Sequence, residues 1–381
     1  MRNTFYEFFA GGGMVSQGLG EGWQCSFAND IEPMKAEAYR ANHPKSPFVL
    51  GDIAKIKPAD LPGEADLAWA SFPCQDLSLA GAGAGLAGGR SGLFWSFWRL
   101  MKRLAKEGRA PKIITLENVV GAITSHEGRD LAAIAKAFAD SGYHFGCLVI
   151  DAAHFVPQSR PRLFVVGVRG DLHLPPELFQ PEADPIWHSK ALVRSMAGFG
   201  RKAAAKSVFW RLPPPPLRNT GLRNFIEDEP AGVEWHKHAY TKRLLSMMDT
   251  NNRNKVREAQ RTKRLEVGTI YRRTRPDGNG GKVQRAEVRF DDVAGCLRTP
   301  AGGSSRQTLL IVNGRSLKSR LLSPREAARL MGLPDEYRLP ERYNDAYHLA
   351  GDGVAVPAVR FLAENIFEPI LIENQAALAA Q

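Results

Sequence analysis

A strand that runs straight into three consecutive glycines constrains this chain most. Phe5-Tyr6-Glu7-Phe8-Phe9 reads as an apolar strand, and Ala10-Gly11-Gly12-Gly13-Met14 as the turn that follows it, with Gly18 and Gly20 close behind. Glycine adopts dihedrals that a Cβ forbids and lets the main chain approach a ligand. Such a turn at the carboxyl end of the first strand of an open sheet therefore faces the crevice where ligands bind. Asn29-Asp30-Ile31 at the end of a second predicted strand places a carboxylate where it could accept hydrogen bonds from ribose hydroxyls. Gly51-Asp52-Ile53 places another within reach of an adenine amino group. The arrangement also fits NAD, although the glycine spacing departs from GxGxxG and requires no pyrophosphate.

The rhythm of the first 170 residues is α/β. Predicted strands at Phe5–Phe9, Cys25–Ala28, near Phe48, Leu67–Ala70, Ile113–Leu116 and Leu163–Val168 alternate with helical spacing at Leu93–Leu104 and Leu131–Phe138. Beyond Arg169 this pattern gives way to prolines, including the run Pro213–Pro216, and to a stretch rich in Arg, Asn, Gly and Pro. The sequence predicts a first domain over 1–174, an insert with its own fold over 175–315, and a segment over 316–381 that returns to the first domain. Ser323 and Pro324 are suited to cap and open a helix there.

The formal net charge of +11 is unevenly placed: residues 231–290 hold 15 Lys and Arg against 6 Asp and Glu. A polyanion is the natural partner of such a surface, with Arg272, Arg273 and Arg275 as candidate contacts. Glu7 and the glycine cluster interrupt what a secretory leader would need, and no run of about 18 apolar residues suggests a membrane span, so no membrane partner is expected and a cytoplasmic protein is. Cys25, Cys74, Cys147 and Cys296 lie far apart without a CxxC pair, so neither a disulfide framework nor a metal site is expected.

Cys74 stands apart from the other three. Ser71-Phe72-Pro73-Cys74-Gln75 follows the Leu67–Ala70 strand, where a rigid proline presents the thiol at the rim of an open sheet. Glu117-Asn118-Val119 follows Ile113–Leu116, and Gln158-Ser159-Arg160-Pro161-Arg162 precedes Leu163–Val168. A thiolate adding to C6 of cytosine makes the unreactive C5 electron-rich, and a carboxyl group at N3 answers the charge that accumulates during attack. The planar donors of Arg160 and Arg162 suit a phosphate, the Glu117 carboxyl or the cytosine O2.

With these blocks in place the chain resembles the DNA cytosine-C5 methyltransferase family. The resemblance implies a Rossmann-like S-adenosylmethionine-dependent methyltransferase sheet with a second, smaller target-recognition domain. It casts 1–174 as the catalytic and cofactor-binding part and 175–315 as the target-recognition domain. Cys74 is then the nucleophile, with Glu117, Arg160 and Arg162 catalytic. Phe9, Ala10, Gly11, Gly12, Gly13, Asp30, Ile31, Asp52, Ile53, Pro73 and Leu93 would bind S-adenosyl-L-methionine, releasing S-adenosyl-L-homocysteine. Asp352, Gly353 and Val354, within Gly351-Asp352-Gly353-Val354-Ala355-Val356-Pro357, would complete the pocket. Arg325–Leu330 matches the family's late Arg-Glu-x-Ala-Arg-Leu block, and Arg298–Ser304 the segment that holds the flipped nucleotide's backbone. Duplex DNA is the implied partner, with association with the nucleoid following from it. Family habit adds a monomer and a cognate restriction endonuclease acting separately.

Three positions depart from the family pattern. Glu7 replaces the usual Asp, where it could reach the methionine amine or cap backbone groups; Ser71 stands where Gly is common; and Asp352 replaces the usual Asn, exchanging an amide donor for a charge. Three other functions remain open at this point. They are an RNA cytosine methyltransferase, a nicotinamide dehydrogenase that would leave Cys74 and Glu117 unexplained, and a catalytically idle DNA-binding descendant.

Overall fold

The computed structural model describes residues 2–73, 92–276, 281–298 and 306–379. The chain divides into two compact units, one of residues 1–151, 161–215 and 356–381, the other of residues 152–160 and 216–355.

The first unit is built on a seven-stranded sheet ordered β3-β2-β1-β4-β5-β7-β6. Its strands are β1 (Asn3–Phe8), β2 (Trp23–Asp30), β3 (Phe48–Leu50), β4 (Leu67–Ala70), β5 (Ile113–Val119), β6 (Tyr143–Asp151) and β7 (Pro161–Arg169). β7 runs against both its neighbours and the rest are parallel. Strand order reverses between β1 and β4. Their adjacent carboxyl ends thus form the switch point at which open α/β sheets bind ligands. The glycine turn leaves one of these ends and Pro73-Cys74 the other.

Helix α3 (Leu93–Lys106) buries Phe94, Phe97, Trp98, Met101 and Leu104, and α4 (Arg129–Asp140) buries Leu131, Ile134 and Phe138, the helical spacing read from the sequence. Both join one core with Phe8 and Phe27 of the sheet. α1 (Met14–Leu19) packs on α11 (Val356–Leu362), so closely that a Cβ on Gly18 would lie 2.6 Å from the Val359 Cβ. Arg360 also donates to the Leu19 carbonyl at 2.9 Å. Residues 356–381 thus belong to the first unit, whereas 316–355, expected to return with them, belong to the second.

The second unit carries a four-stranded antiparallel sheet, β11-β10-β12-β13, from β10 (Leu265–Pro276), β11 (Lys282–Arg289), β12 (Thr308–Asn313) and β13 (Ser316–Leu321). α7 (His238–Ser246) supplies Leu244, α8 (Thr250–Arg261) supplies Val256 and the turn between them Met248 to a core with Ile270, Ala286, Val288 and Leu310 of the sheet. Ser323 caps α9 (Pro324–Arg329) in a reciprocal box with Glu326, as its position before Pro324 predicts. Glu326 also makes a fully buried two-pronged ion pair with Arg320, with Nη2 2.6 Å from Oε1.

These units divide the chain differently from the expected 1–174, 175–315 and 316–381. Leu192, Met196, Phe199 and Ala203, beyond residue 174, complete the core under α4. A boundary at 315 would cut the β12–β13 hairpin in half.

Candidate active site

The glycine turn is held by two hydrogen bonds to the carboxyl end of β2. The Ala10 amide donates to the Asn29 carbonyl, and the Gly11 amide to Asp30 Oδ2, both at 2.9 Å. Phe9 and Gly11 share a left-handed φ of 55° and Gly13 has 82°. A side chain at Gly13 is excluded twice over, since its Cβ would lie 2.5 Å from the His43 ring. Ala10 and Gly12 are buried in the turn. Asp30 Oδ1 accepts the Glu32 amide at 3.0 Å. Each oxygen of this carboxylate thus spends one acceptor site on the main chain and keeps another for a ligand hydroxyl. Ile31, beside it, is 64% exposed, an apolar surface left open at the ligand side of the sheet.

Asn29 joins this loop to the next. Its Nδ2 donates to the carbonyls of Val49 and Gly51, both at 2.9 Å, and the Gly51 amide donates to the Asp30 carbonyl. Asp52 follows directly, capping the short turn Ile53–Lys55 through the Ala54 amide while Ile53 is buried beneath. Phe9 and Leu93, the first residue of α3, pack against the same core. Pro73 is half-buried three residues beyond the paired ends of β1 and β4. Phe9–Gly13, Asp30, Ile31, Asp52, Ile53 and Pro73 therefore all lie at or just past the carboxyl ends of β1, β2, β3 and β4.

Glu7 does not extend toward this edge. It is fully buried, and its Oε2 accepts from the Ser16 hydroxyl at 2.6 Å and from Tyr39 at 3.3 Å. Gly13, the N-cap of α1, has no side chain to offer, so a carboxyl from β1 serves the first turn of this helix instead. Burial raises the Glu7 pKa to about 7 against the lowering effect of Ser16 and Tyr39. The longer side chain thus takes the second of its two expected roles and supports the glycine turn from below.

Cys74 lies outside the described residues, but its surroundings on the chain are fixed. Asn118 donates from Nδ2 to the Phe72 carbonyl at 3.3 Å, tying the loop two residues before Cys74 to the strand end that carries Glu117. Glu117 is 7% exposed. Its Oε1 meets Arg162 Nε at 3.1 Å. Register explains the pairing: Val119 faces Arg162 across β5 and β7, and Glu117, two residues away, projects from the same face. Burial, with Glu7 nearby, raises the Cys25 thiol to about 12, and burial alone does the same for Cys147. Neither is a thiolate at neutral pH, which leaves them without nucleophilic use.

Arg160 sits elsewhere from Arg162. It belongs to the second unit, where it is 2% exposed. Its Nη2 donates to the carbonyls of Gly351 and Gly353, at 2.8 and 2.6 Å, and its Nη1 to that of Leu297 at 3.2 Å. Main-chain carbonyls of three residues thus surround the guanidinium of Arg160. Gln158 works beside it, donating to the Leu330 carbonyl at 2.7 Å and accepting the Leu297 amide at 3.1 Å. Asp352, exposed in the same unit at the end of α10 (Tyr343–Asp352), pairs through Oδ2 with His348 Nε2 at 2.8 Å; Gly353 follows, and Val354 is buried. Asn29 and Gln158 were not among the expected site residues. What signals them is an amide side chain just before a strand-end carboxylate or inside a turn, able to hold two main-chain segments at once.

The profile of the family described as C-5 cytosine-specific DNA methylase matches residues 3–368. The chain is 26% identical over 377 residues to the Type II methyltransferase M.BsuFI of Bacillus subtilis, covering 98% of this chain and 75% of that protein. It is 26% identical over 365 residues to M.HhaI of Haemophilus parahaemolyticus, covering 95% and 93%. Among solved structures, the fold is similar to that of the S. pombe Dnmt2 methyltransferase, with a TM-score of 0.62 at 18% identity over 97% of this chain and 99% of that one. A carboxyl paired with an arginine near the end of β5, tied to the segment that leads toward Cys74, thus coincides with a family match that spans nearly the whole sequence, and the chain belongs to the C-5 cytosine-specific DNA methylase family as a DNA (cytosine-5-)-methyltransferase.

Proposed function

We propose that this enzyme moves a methyl group from S-adenosyl-L-methionine to C5 of cytosine in a specific duplex DNA sequence, through base flipping and a covalent bond between Cys74 and C6. The Asn118 hydrogen bond to the Phe72 carbonyl carries the reading, because it fixes the approach to Cys74 against the strand end bearing Glu117. A base within a duplex cannot present C5 and C6 to groups at a sheet rim, so the target cytosine must rotate out of its stack.

The cofactor residues fit their role. The glycine turn has open space in front of Gly11, the Asp30 carboxylate keeps acceptor sites for ribose hydroxyls, and Ile31 offers an apolar face. When bound, the cofactor supplies a sulfonium-activated methyl group. Asp52 would receive the adenine amine, with Phe9, Ala10, Gly12, Gly13, Ile53, Pro73 and Leu93 shaping the pocket. Asp352, Gly353 and Val354 are assigned to the cofactor on the motif. Cys74 adds to C6, Glu117 holds a proton at N3 while charge builds there, and Arg162 fixes the Glu117 carboxyl through its 3.1 Å contact. Loss of the C5 proton then allows the thiolate to leave.

The second unit's basic sheet and helices are the target-recognition region, neutralising phosphates and reading base edges. The curated relatives are Type II methyltransferases, and we take this chain to act as a monomer on cytoplasmic DNA beside a separate restriction endonuclease. No helix among the described residues is long and apolar enough to cross a membrane.

Expression in a methylation-free host followed by sequencing of methylated DNA should reveal 5-methylcytosine in one short sequence context. Duplexes carrying 5-fluorocytosine in that context should become covalently trapped at residue 74, while C74S binds the DNA without methylating it. Methylation by C74S at the parent's rate, or the absence of any trapped complex, would overturn the mechanism.

A further inference from the structure

Gln158 and Arg160 lie on a short excursion, residues 152–160, that leaves the large sheet after β6 and is built into the second unit. There Pro157–Ser159 pairs with Ala294 in a small parallel ladder: the Ala294 amide donates to the Pro157 carbonyl at 2.7 Å and the Ser159 amide to the Ala294 carbonyl at 2.8 Å. The two buried side chains then reach three segments distant in sequence. Gln158 takes the Leu297 amide and the Leu330 carbonyl, and Arg160 takes the carbonyls of Leu297, Gly351 and Gly353.

Leu297 is buried by this grip, and Arg298, the next residue, is exposed at the start of the segment assigned to the flipped nucleotide's backbone. Gly351 and Gly353 flank Asp352 in the block assigned to the cofactor. One guanidinium therefore fixes both blocks. Its planar fork does this with several donors in fixed relative directions, so moving one set of carbonyls repositions the donors offered to the other.

We infer that Arg160, braced by Gln158, couples the two substrates of this enzyme, so that ordering the 351–353 block by cofactor pre-orders the 296–298 segment for DNA, and the reverse. The inference rests on the reading above that these two blocks face cofactor and DNA. Coupling between two ligands is reciprocal, and one factor describes both effects.

The test is to measure the Kd of S-adenosyl-L-homocysteine with and without a duplex carrying the methylated context found by sequencing, and that of the duplex with and without S-adenosyl-L-homocysteine. In the parent enzyme both ratios should agree, within the roughly 5- to 150-fold range usual for such coupling. In R160M the ratios should fall to about one while each ligand still binds alone, and R160K should lie between. Weaker binding of each ligand with an unchanged ratio would make Arg160 merely structural and overturn the inference, as would a parent enzyme without coupling. Should R160M fail to fold, hydrogen exchange on the parent decides: S-adenosyl-L-homocysteine alone should slow exchange of the Leu297 amide, and unchanged exchange refutes the link. Failure of either ligand to bind the parent would defeat the functional reading itself, whereas binding of both without coupling defeats only this inference.

Discussion

Replacing Glu7 by Gln tests the carboxyl that holds the glycine turn in place. Burial raises its pKa from 4.5 to about 7, opposed by the hydrogen bonds of Ser16 and Tyr39. Desolvation outweighs these bonds and those of the Val15 and Ser16 main chain, so the charged form is the costly one in the core. An acid with a raised pKa in the folded state keeps a proton that the unfolded chain has already released. The stability this group contributes is therefore fully present below about 4.5 and is lost as the pH rises through about 7. At roughly 1.4 kcal/mol per pH unit, the loss across the window is about 3 kcal/mol. A unit of this size loses about 2–4 °C in Tm per kcal/mol, so the parent should fall by about 6–12 °C relative to E7Q between these limits. Gln does not titrate, and its amide leaves a constant offset from an imperfectly matched donor, so the slope of the difference is the observable and not its absolute value. Thermal melts of both proteins from about pH 4 to about pH 9 would supply it. A flat difference, or a parent that gains on E7Q as the pH rises, would refute the claim that this carboxyl is desolvated under the turn.

Three further perturbations address the site and the basic sheet. R162M should lower single-turnover methyl transfer by about 10²- to 10³-fold, because Glu117 loses the guanidinium that orients it, while DNA binding persists; an unchanged rate would remove Arg162 from the mechanism. N29L strands the carbonyls of Val49 and Gly51 at a cost of about 1–3 kcal/mol, so cofactor Kd should rise roughly tenfold or more by direct titration with DNA affinity unchanged; equal losses of both would point to general unfolding. Arg273 and Arg285 stand directly opposite each other across β10 and β11, a like-charge pair that Glu287, 3.5 Å from Arg273, answers only once and a phosphate could answer further. R285A should reduce the slope of log affinity against log salt by about 0.9, equally for cognate and unrelated duplexes, as judged by binding across a salt series; loss confined to the cognate duplex would make Arg285 a base reader.

How much of this was legible follows from which faces each element buries. The strands of the first unit announced themselves as short apolar runs between turns, and α3 and α4 by spacing that survives in Phe94, Phe97, Trp98 and Met101 and in Leu131, Ile134 and Phe138. β6 gave no such signal: Phe145, Gly146, Cys147 and Leu148 are buried in succession, so it lacks alternation, and its length suits a helix equally well. The second unit was read as irregular because its strands carry the charge of its surface. On β11 only Ala286 and Val288 face the core, between Arg285, Glu287 and Arg289. Two core-facing residues in eight are too few to reveal a strand without its partners.

The candidate site was legible as motifs but not as a division of labour within them. Gln158, Arg160 and Arg162 alternate, and an extended chain places alternate residues on one side, so the sequence suggests one arginine pair acting on one target. The chain breaks that expectation at Pro161, which lacks an amide donor and opens β7, a position where a strand accepts proline. Before it, the backbone is committed to Ala294 and its side chains to the main chain of the second unit. After it, the backbone joins β5 and β6, and Arg162 turns to Glu117. One residue of chain thus separates an arginine that holds backbone from an arginine that holds a reactive carboxyl. The physical difference lies in their acceptors: the main-chain carbonyls around Arg160 tie two blocks of the second unit together, so its loss should show in the coupling of binding steps, whereas Arg162 meets the Glu117 carboxyl, so its loss should show in the chemical step.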